Sequence, residues 1–513
     1  MIVRVEQIGF HDYETELFNM IRAFYEQVEV TYEKDADSDA VLTLEVAVSG
    51  ASSYALLGSY TYDGQQLHHE FRWSPDSKRT GEDDRKLLKR AVLISSLELL
   101  REATGLEQPW GVLTGVRPTK LMHNLLAEHG REEAERILAE DYLVTPGKVK
   151  LLSEVAERQL AVLPDLFRLD REVSIYIGIP FCPTKCAYCT FPAYDIRGNN
   201  GSVEEFLIGL DHEIRAIGAW LHEQGLGITT IYWGGGTPTS ITAEQMDALF
   251  LAMHESFPSM DRVRELTVEA GRPDTITPDK IDVMKKWNVD RISINPQSFT
   301  QATLDAIGRH HTVTETVEKF HLAREMGLNN INMDLIIGLP NEDVESYDRS
   351  LKETAKLLPE SLTVHTLSFK RASKMTKERD RYKVAERQEI EEMVRMTNEW
   401  TIAHGYVPYY LYRQKNILGN LENVGYALPG KDSLYNIIMM EERQSVIGLG
   451  CGAVSKIVWP AGPEEETEGA RRIERMPNPK EPAAYNSQYQ DYIVKKLRLL
   501  DEAYGSTTPV KAL

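Results

Sequence analysis

Cysteine is scarce in this sequence, with four in 513 residues. The opening MIVRVEQIGFHDYETELF has no apolar core behind a basic start, so no secretory signal is expected. Sparse thiols in such a chain exclude a disulfide framework and point to the reducing cytoplasm. Positive charge is also short: 58 Lys and Arg stand against 78 Asp and Glu, a net charge of −20. That balance disfavours non-specific binding to nucleic acid or to an anionic membrane surface, while leaving room for a local basic pocket. No run approaches the roughly 20 apolar residues of a membrane helix. Internal repeats and low-complexity tracts are lacking too. What remains is a chain 42% hydrophobic, long enough for two or three domains.

Residues 1–165 read as a small α/β domain. VLTLEVAV (41–48), YALLGSYTY (54–62) and QLHHEFRW (66–73) alternate like strands of a meander. DDRKLLKRAVLISSLELLREATG follows with helical spacing, stopped by Gly105. From about residue 172 to residue 377 the pattern is strand, loop, helix, with strands expected at 173–179, 228–233, 264–269, 291–295, 331–337 and 361–367. Ser202 with Glu205, and Thr242 with Gln245, form capping-box patterns before two of the helices. Phe206, Leu210, Ile214, Ile217 and Leu221 then share one helical face. Strands alternating with crossover helices argue for a parallel sheet. Six such units suit a partial (β/α)6 barrel within residues 166–377, with a doubly wound open sheet as the alternative. Residues 378–513 form a mainly helical extension that opens on the amphipathic VAERQEIEEMVRMTNEWTIAHG and contains the aromatic YVPYYLYRQKN. Its GPEEETEGARR (462–472) reads as an exposed charged loop.

Three of the four cysteines crowd into FCPTKCAYC (181–189), directly after the first strand of the series. Zinc in a structural site recruits four ligands, and no nearby Cys or His completes a set around Cys182, Cys186 and Cys189. Three thiolates suit a [4Fe–4S] cluster that leaves one iron open to a small chelating ligand. Reduced structural cysteines are the plainer alternative. At the same barrel end the second strand runs into GGGTPT (234–239), where missing side chains permit close backbone approach. Glu269 closes the third strand, Gln297 lies just beyond the fourth and Asp334 lies within the fifth, and polar groups converging on that face are where such folds place active sites. Cys451 is left over and reads as a small buried residue.

The spacing C-x3-C-x2-C in this loop resembles the radical S-adenosylmethionine superfamily. Within it, YIGIPFCPTKCAYCTF, IYWGGGTPT, LTVEAGRP, ISINPQSF, IGRHH and NMDLIIGLP resemble, in order, the motifs of the oxygen-independent coproporphyrinogen III dehydrogenase (oxidase)-like family. The extra N-terminal domain is similar to that of the longer HemZ type. The resemblance implies a [4Fe–4S] cluster on the three cysteines and one or two molecules of S-adenosylmethionine. By the same resemblance Gly235, Gly236 and Thr237 receive the methionyl amine. Glu269, Gln297, Arg309 and Asp334 hold its carboxylate, its ribose or a second cofactor. Tyr188 lies along the adenine, Tyr176 supports the site, and Val454 in GLGCGAVS (448–455) contacts the cofactor from a pocket-closing glycine loop.

The activity so implied starts with an electron from a low-potential donor such as flavodoxin or ferredoxin. A 5′-deoxyadenosyl radical then takes hydrogen from a propionate of coproporphyrinogen III, and carbon dioxide leaves to form a vinyl group. A tetracarboxylate needs cations, and Lys370, Arg371 and Lys374 in FKRASK, with Arg413 and Lys415 beyond the tyrosines, are candidates. The sequence also departs from the family pattern. Gly178 replaces a His, and Phe191 stands where well-studied dehydrogenases carry a fourth cysteine. Related haem chaperones have a His and a Trp where this chain has Tyr435 and Met440. Decarboxylation of coproporphyrinogen III to protoporphyrinogen IX is the leading expectation, and a haem-binding carrier that keeps the cluster is the alternative.

Overall fold

A computed structural model describes residues 1–513 except 26, 49–53, 74–83, 371–372, 416, 461–470 and 506–513. Two compact units make up the chain, Met1–Glu154 with Gly419–Leu421, and Val155–Leu418 with Glu422–Leu513. The first contains β1 (Ile2–Ile8), α1 (Glu14–Phe24), β2 (Glu29–Thr31), β3 (Ala40–Val48), β4 (Tyr54–Tyr62), β5 (Gln65–Trp73) and α2 (Asp84–Thr104). Its sheet has the order β2-β1-β3-β4-β5. The meander expected from alternation is the antiparallel run β3-β4-β5. The two strands the pattern does not single out, β1 and β2, pair in parallel beside it. Leu42, Leu44 and Leu56 share a buried core with Leu97, Leu99 and Leu100 of α2. At the end of α2, Gly105 takes φ 67° and its N–H donates to the Arg101 carbonyl at 2.8 Å, a glycine stop. Then come α3 (Pro118–His129), α4 (Arg131–Glu140) and α5 (Pro146–Val162).

The second unit continues with β6 (Glu172–Ile179), β7 (Phe181–Cys182), β8 (Tyr194–Asp195), α6 (Val203–Gln224), β9 (Gly227–Gly235), α7 (Ala243–Ser256) and β10 (Glu265–Val268). Next are α8 (Pro278–Lys286), β11 (Arg291–Ser293), α9 (Gln301–Ala306), α10 (Val313–Glu325), β12 (Ile331–Ile337), α11 (Val344–Leu357), β13 (Ser361–Thr366) and α12 (Lys374–Lys377). The chain ends with α13 (Arg387–Ala403), β14 (Val407–Tyr412), β15 (Asn423–Ala427), α14 (Leu434–Glu441), β16 (Val446–Gly450), β17 (Val454–Val458), β18 (Ile473–Pro477) and α15 (Pro482–Tyr504).

One sheet of eleven strands organises this unit, in the order β14-β15-β13-β12-β11-β10-β9-β6-β16-β17-β18. The central run from β16 to β13 is parallel throughout. Antiparallel pairs extend it at both edges. Six of the parallel strands are those read from hydrophobic runs, and the helices between them start as expected. Thr242 and Gln245 close a full capping box on α7. Ser202 accepts from the Glu205 N–H at 3.1 Å, while the Glu205 carboxylate accepts from Asn486. The apolar face of α6 from Phe206 to Leu221 is fully buried.

Two expectations need correction. Gly448 and Gly450 do not belong to a pocket-closing loop: Val446–Gly450 is a seventh parallel strand, with Gly448 opposite Tyr176. The glycine is needed for close packing, because a Cβ on Gly448 would lie 2.8 Å from the Val454 backbone. Residues 378–513, in turn, form no separate unit, since β14–β18 all join the same sheet. A buried carboxylate ties that C-terminal part to α6. Glu213 pairs with Lys496 of α15 at 2.5 Å and accepts from the Gly450 N–H, Asn478 and the Tyr485 hydroxyl. Four partners around one buried charge are what makes such a pair tolerable.

Candidate active site

The cysteine loop leaves β6 at Pro180 and is pinned by backbone bonds on three sides. Phe181 and Cys182 pair with Tyr194 and Asp195. The Ala187 N–H donates to the Ile307 carbonyl, and the Ala187 carbonyl accepts from the Met375 N–H, both at 2.9 Å. The end of β9 lies directly against this loop. Gly236 and Thr237 donate their N–H groups to the carbonyls of Ile179 and Phe181, both at 2.7 Å. Here Gly235 has φ 109°, and a Cβ on Gly236 would sit 2.6 Å from the Phe181 carbonyl oxygen. These glycines therefore allow the protein's own strand end and loop to meet. Thr237 Oγ1 lies 3.1 Å from the Cys182 sulfur. Cys182 and Cys186 are buried and Cys189 is half-buried. Burial pushes the Cys182 thiol up to about 12, although its bond with Thr237 opposes the shift.

A cavity of about 300 Å³ opens between this loop and the ends of the parallel strands. Its wall includes Cys182, Cys186, Tyr188, Cys189, Gly235, Gly236, Thr237, Glu269, Gln297, Arg309, Asp334 and Lys370. Arg309 bridges the two sides: it donates to the Asn295 carbonyl at 2.7 Å, to the Gly271 carbonyl, and to the Tyr188 hydroxyl at 3.4 Å. The two carboxylates are held in opposite protonation states. Burial, and then the Asp334 charge, raises Glu269 to about 8. Asp334 is buried as deeply, yet stays below the usual range because His365 and Asn332 bond to it. His365 Nε2 is 3.7 Å from Asp334, and its Nδ1 is 3.2 Å from the Tyr412 hydroxyl. Gln297, at φ 66°, donates its N–H to the Asp334 carbonyl at 2.9 Å, and its side-chain oxygen has no hydrogen-bond partner. A strained residue with an orphaned oxygen at a cavity wall suits a ligand that completes it.

Among the described residues, no three His, Cys, Asp or Glu side chains converge to hold a single metal ion. Three thiols around one cavity instead provide the donor set of a cluster with one open iron. The family model "Radical SAM superfamily" matches residues 176–354. The oxygen-independent coproporphyrinogen-III oxidase-like protein HemZ of Bacillus subtilis is 52% identical over 512 residues, 99% of each chain. The chain belongs to that family of radical SAM proteins. Heme chaperone HemW of Bacillus subtilis is 30% identical over 55% of this chain and 70% of its own. The solved structure of coproporphyrinogen III oxidase (HemN) from Escherichia coli aligns at 23% identity with a TM-score of 0.49, over 66% of this chain and 72% of its own. Radical SAM proteins carry a [4Fe–4S] cluster and S-adenosylmethionine, and these are the cofactors of this chain.

The radical SAM cavity does not include every residue the sequence suggested. Tyr176 is packed away from the wall, stacked 6.2 Å from Tyr232 and 6.4 Å from Tyr435. Val454 begins β17 with 38% of its surface exposed and does not line the cavity. Arg413 is buried off the wall, where desolvation brings it down to about 10 against the pull of Glu422. Arg371 lies outside the described residues, as does most of the charged loop at 462–472. Several wall residues carry no signal in the sequence: Arg272, Arg291, Tyr232 and His365. Arg272 lies inside the quoted LTVEAGRP, and it holds Asp274 at 2.7 Å and Thr184 at 2.8 Å. Arg291 opens its strand, and the partners that hold it come from other strands. It donates to Asn332 at 2.8 Å and to Ser361 at 2.7 Å.

No helix among the described residues is long and apolar enough to cross a membrane.

Proposed function

We propose that this protein decarboxylates coproporphyrinogen III to protoporphyrinogen IX by oxygen-independent radical chemistry in the cytoplasm. One observation carries the reading: the Lys370 ammonium shares a cavity with the three thiols and the Gly235–Thr237 edge. A propionate held by that charge lies beside the reacting centre. The full-length relative's name, coproporphyrinogen-III oxidase-like, supports the same substrate class.

In this reading Cys182, Cys186 and Cys189 hold the cluster. Gly235, Gly236, Thr237, Glu269, Gln297, Arg309 and Asp334 surround S-adenosylmethionine, with Tyr188 on its adenine. When bound and reduced, these cofactors supply a 5′-deoxyadenosyl radical that takes hydrogen from a propionate side chain. The chain's own groups do the rest. Glu269, protonated at neutral pH, offers an O–H donor, while ionised Asp334 accepts. Arg309 locks Tyr188 against the loop, and the buried wall excludes water from a reactive intermediate. Lys370 neutralises a carboxylate, with Phe191 and Tyr412 offering ring faces to a flat macrocycle. Loss of carbon dioxide and one further electron then leaves the vinyl group, the electron passing to an external acceptor.

A haem carrier that keeps the cluster is the second reading, favoured by the 30% identity to a haem chaperone. Anaerobic incubation of cluster-loaded protein with coproporphyrinogen III, S-adenosylmethionine and a reductant separates the two. Protoporphyrin after oxidation of the products, with matching carbon dioxide, is the expected outcome. Stoichiometric haem binding without carbon dioxide release overturns it.

A further inference from the structure

The segment from Lys370 to Lys383 holds seven basic residues against two acidic, in a chain whose net charge is −20. Such a local reversal of sign creates a positive potential on an otherwise negative surface. Lys374, Lys377, Arg381 and Lys383 are exposed. The segment is fastened to the cysteine loop, because the Met375 N–H donates to the carbonyl of Ala187, between Cys186 and Cys189. Lys185, in the same loop, is exposed too. Cys189 is half-buried where Cys182 and Cys186 are buried, and all three lie on the loop to which this basic segment is fastened. Lys185 and Lys370 both act electrostatically on Cys189. Substrate binding accounts for Lys370, which faces the cavity. It does not account for Lys377, Arg381 and Lys383, which are not part of the cavity wall.

We propose that Lys185, Lys374, Lys377, Arg381 and Lys383 form the docking surface for an acidic, low-potential one-electron carrier protein, which delivers its electron to the cluster that the neighbouring cysteine loop would hold. One electron leaves the reduced carrier and enters the oxidised cluster; no proton or bond need move. Charge complementarity steers the encounter and sets its rate more than its final strength. The inference rests on the cofactors of the radical SAM family and is independent of the tetrapyrrole reading.

The probe is an acidic [2Fe–2S] ferredoxin, tested on the full chain with and without its cluster. Affinity by calorimetry on the cluster-free protein is expected to fall steeply as salt is raised. The triple variant Lys377→Glu, Arg381→Glu, Lys383→Glu is expected to weaken that affinity at least tenfold. In the cluster-loaded protein it should slow bleaching of the cluster by reduced ferredoxin at least tenfold, with bleaching by dithionite unchanged. The milder pair Lys377→Gln, Lys383→Gln should fall between, and it carries the test if the reversal variant proves unstable. Wild-type affinity and bleaching rate in the variants overturn the proposal. So does a salt-sensitive preference of the wild-type surface for single-stranded RNA over ferredoxin.

Discussion

Replacing Gly236 with Ala adds a single methyl where β9 meets the cysteine loop, and the structure sets what that methyl costs. Its carbon would lie 2.6 Å from the Phe181 carbonyl oxygen and 3.0 Å from two further backbone atoms of Phe181. None of these atoms is the end of a flexible side chain, so the strand end and the loop must part by about half an ångström, overpacking that costs typically ~1–3 kcal/mol. Parting them also stretches the 2.7 Å bond from the Thr237 N–H to Phe181, worth ~1 kcal/mol more. A total of about 2–4 kcal/mol falls on the junction that positions both Cys182 and the proposed S-adenosylmethionine edge. If half of it appears as lost binding, the dissociation constant for S-adenosylmethionine rises about tenfold. Equilibrium dialysis on the reconstituted protein reads that constant, and iron and sulfide analysis reads the cluster. Both are expected to suffer together, because one backbone shift moves both. Thr237→Val, which removes only the hydroxyl beside Cys182, should affect the cluster more than the nucleoside site. Wild-type iron content and wild-type S-adenosylmethionine affinity in Gly236→Ala would refute the reasoning.

Cys451→Ser is expected to retain full iron content and brown absorbance, whereas Ala at Cys182, Cys186 or Cys189 abolishes both; loss of the cluster in the Cys451 variant sinks the three-thiolate assignment. Cluster-free protein should lose stability as pH rises from about 4.5 to about 8, because folded Glu269 keeps its proton over that window while the unfolded chain has released it. Glu269→Gln should flatten that part of a melting-temperature profile, and an unchanged slope would place the Glu269 proton elsewhere. Lys370→Ala should weaken coproporphyrinogen binding by roughly 1.5–3 kcal/mol before allowance for exposure, with uncoupled cleavage of S-adenosylmethionine unchanged; equal affinity in a fluorescence titration removes Lys370 from the substrate site. Arg413→Ala, by contrast, is expected to lower the melting temperature and leave that titration as it is.

The parts of this protein that could be read from sequence are those set by local physics. INMDLII is a buried run bounded by turn residues, and it is a strand over those same residues. Thr242 and Gln245 announce a helix start through one side chain each, and the capping box is complete. The cysteine loop was legible because spacing alone fixes what three thiolates can hold. What was not legible depends on chain segments that meet only after folding. Val446–Gly450 looks like a loop because glycine disfavours strands; only its packing on β6 and β17 makes glycine the residue that fits. Arg291 and His365 show nothing in their own neighbourhoods, since their partners Asn332, Ser361 and Asp334 come from other strands. The rings that hold Tyr176 beside the cavity wall, Tyr232 and Tyr435, likewise come from other elements.

Deuterium transfer tests the central claim most directly. Coproporphyrinogen III labelled with deuterium on its propionate side chains is incubated anaerobically with cluster-loaded protein, reductant and S-adenosylmethionine, and the 5′-deoxyadenosine formed is weighed by mass spectrometry. Deuterium in the recovered 5′-deoxyadenosine, appearing in step with carbon dioxide, is the predicted result. Unlabelled 5′-deoxyadenosine alone, from a protein that binds haem and leaves the labelled substrate intact, would contradict the account.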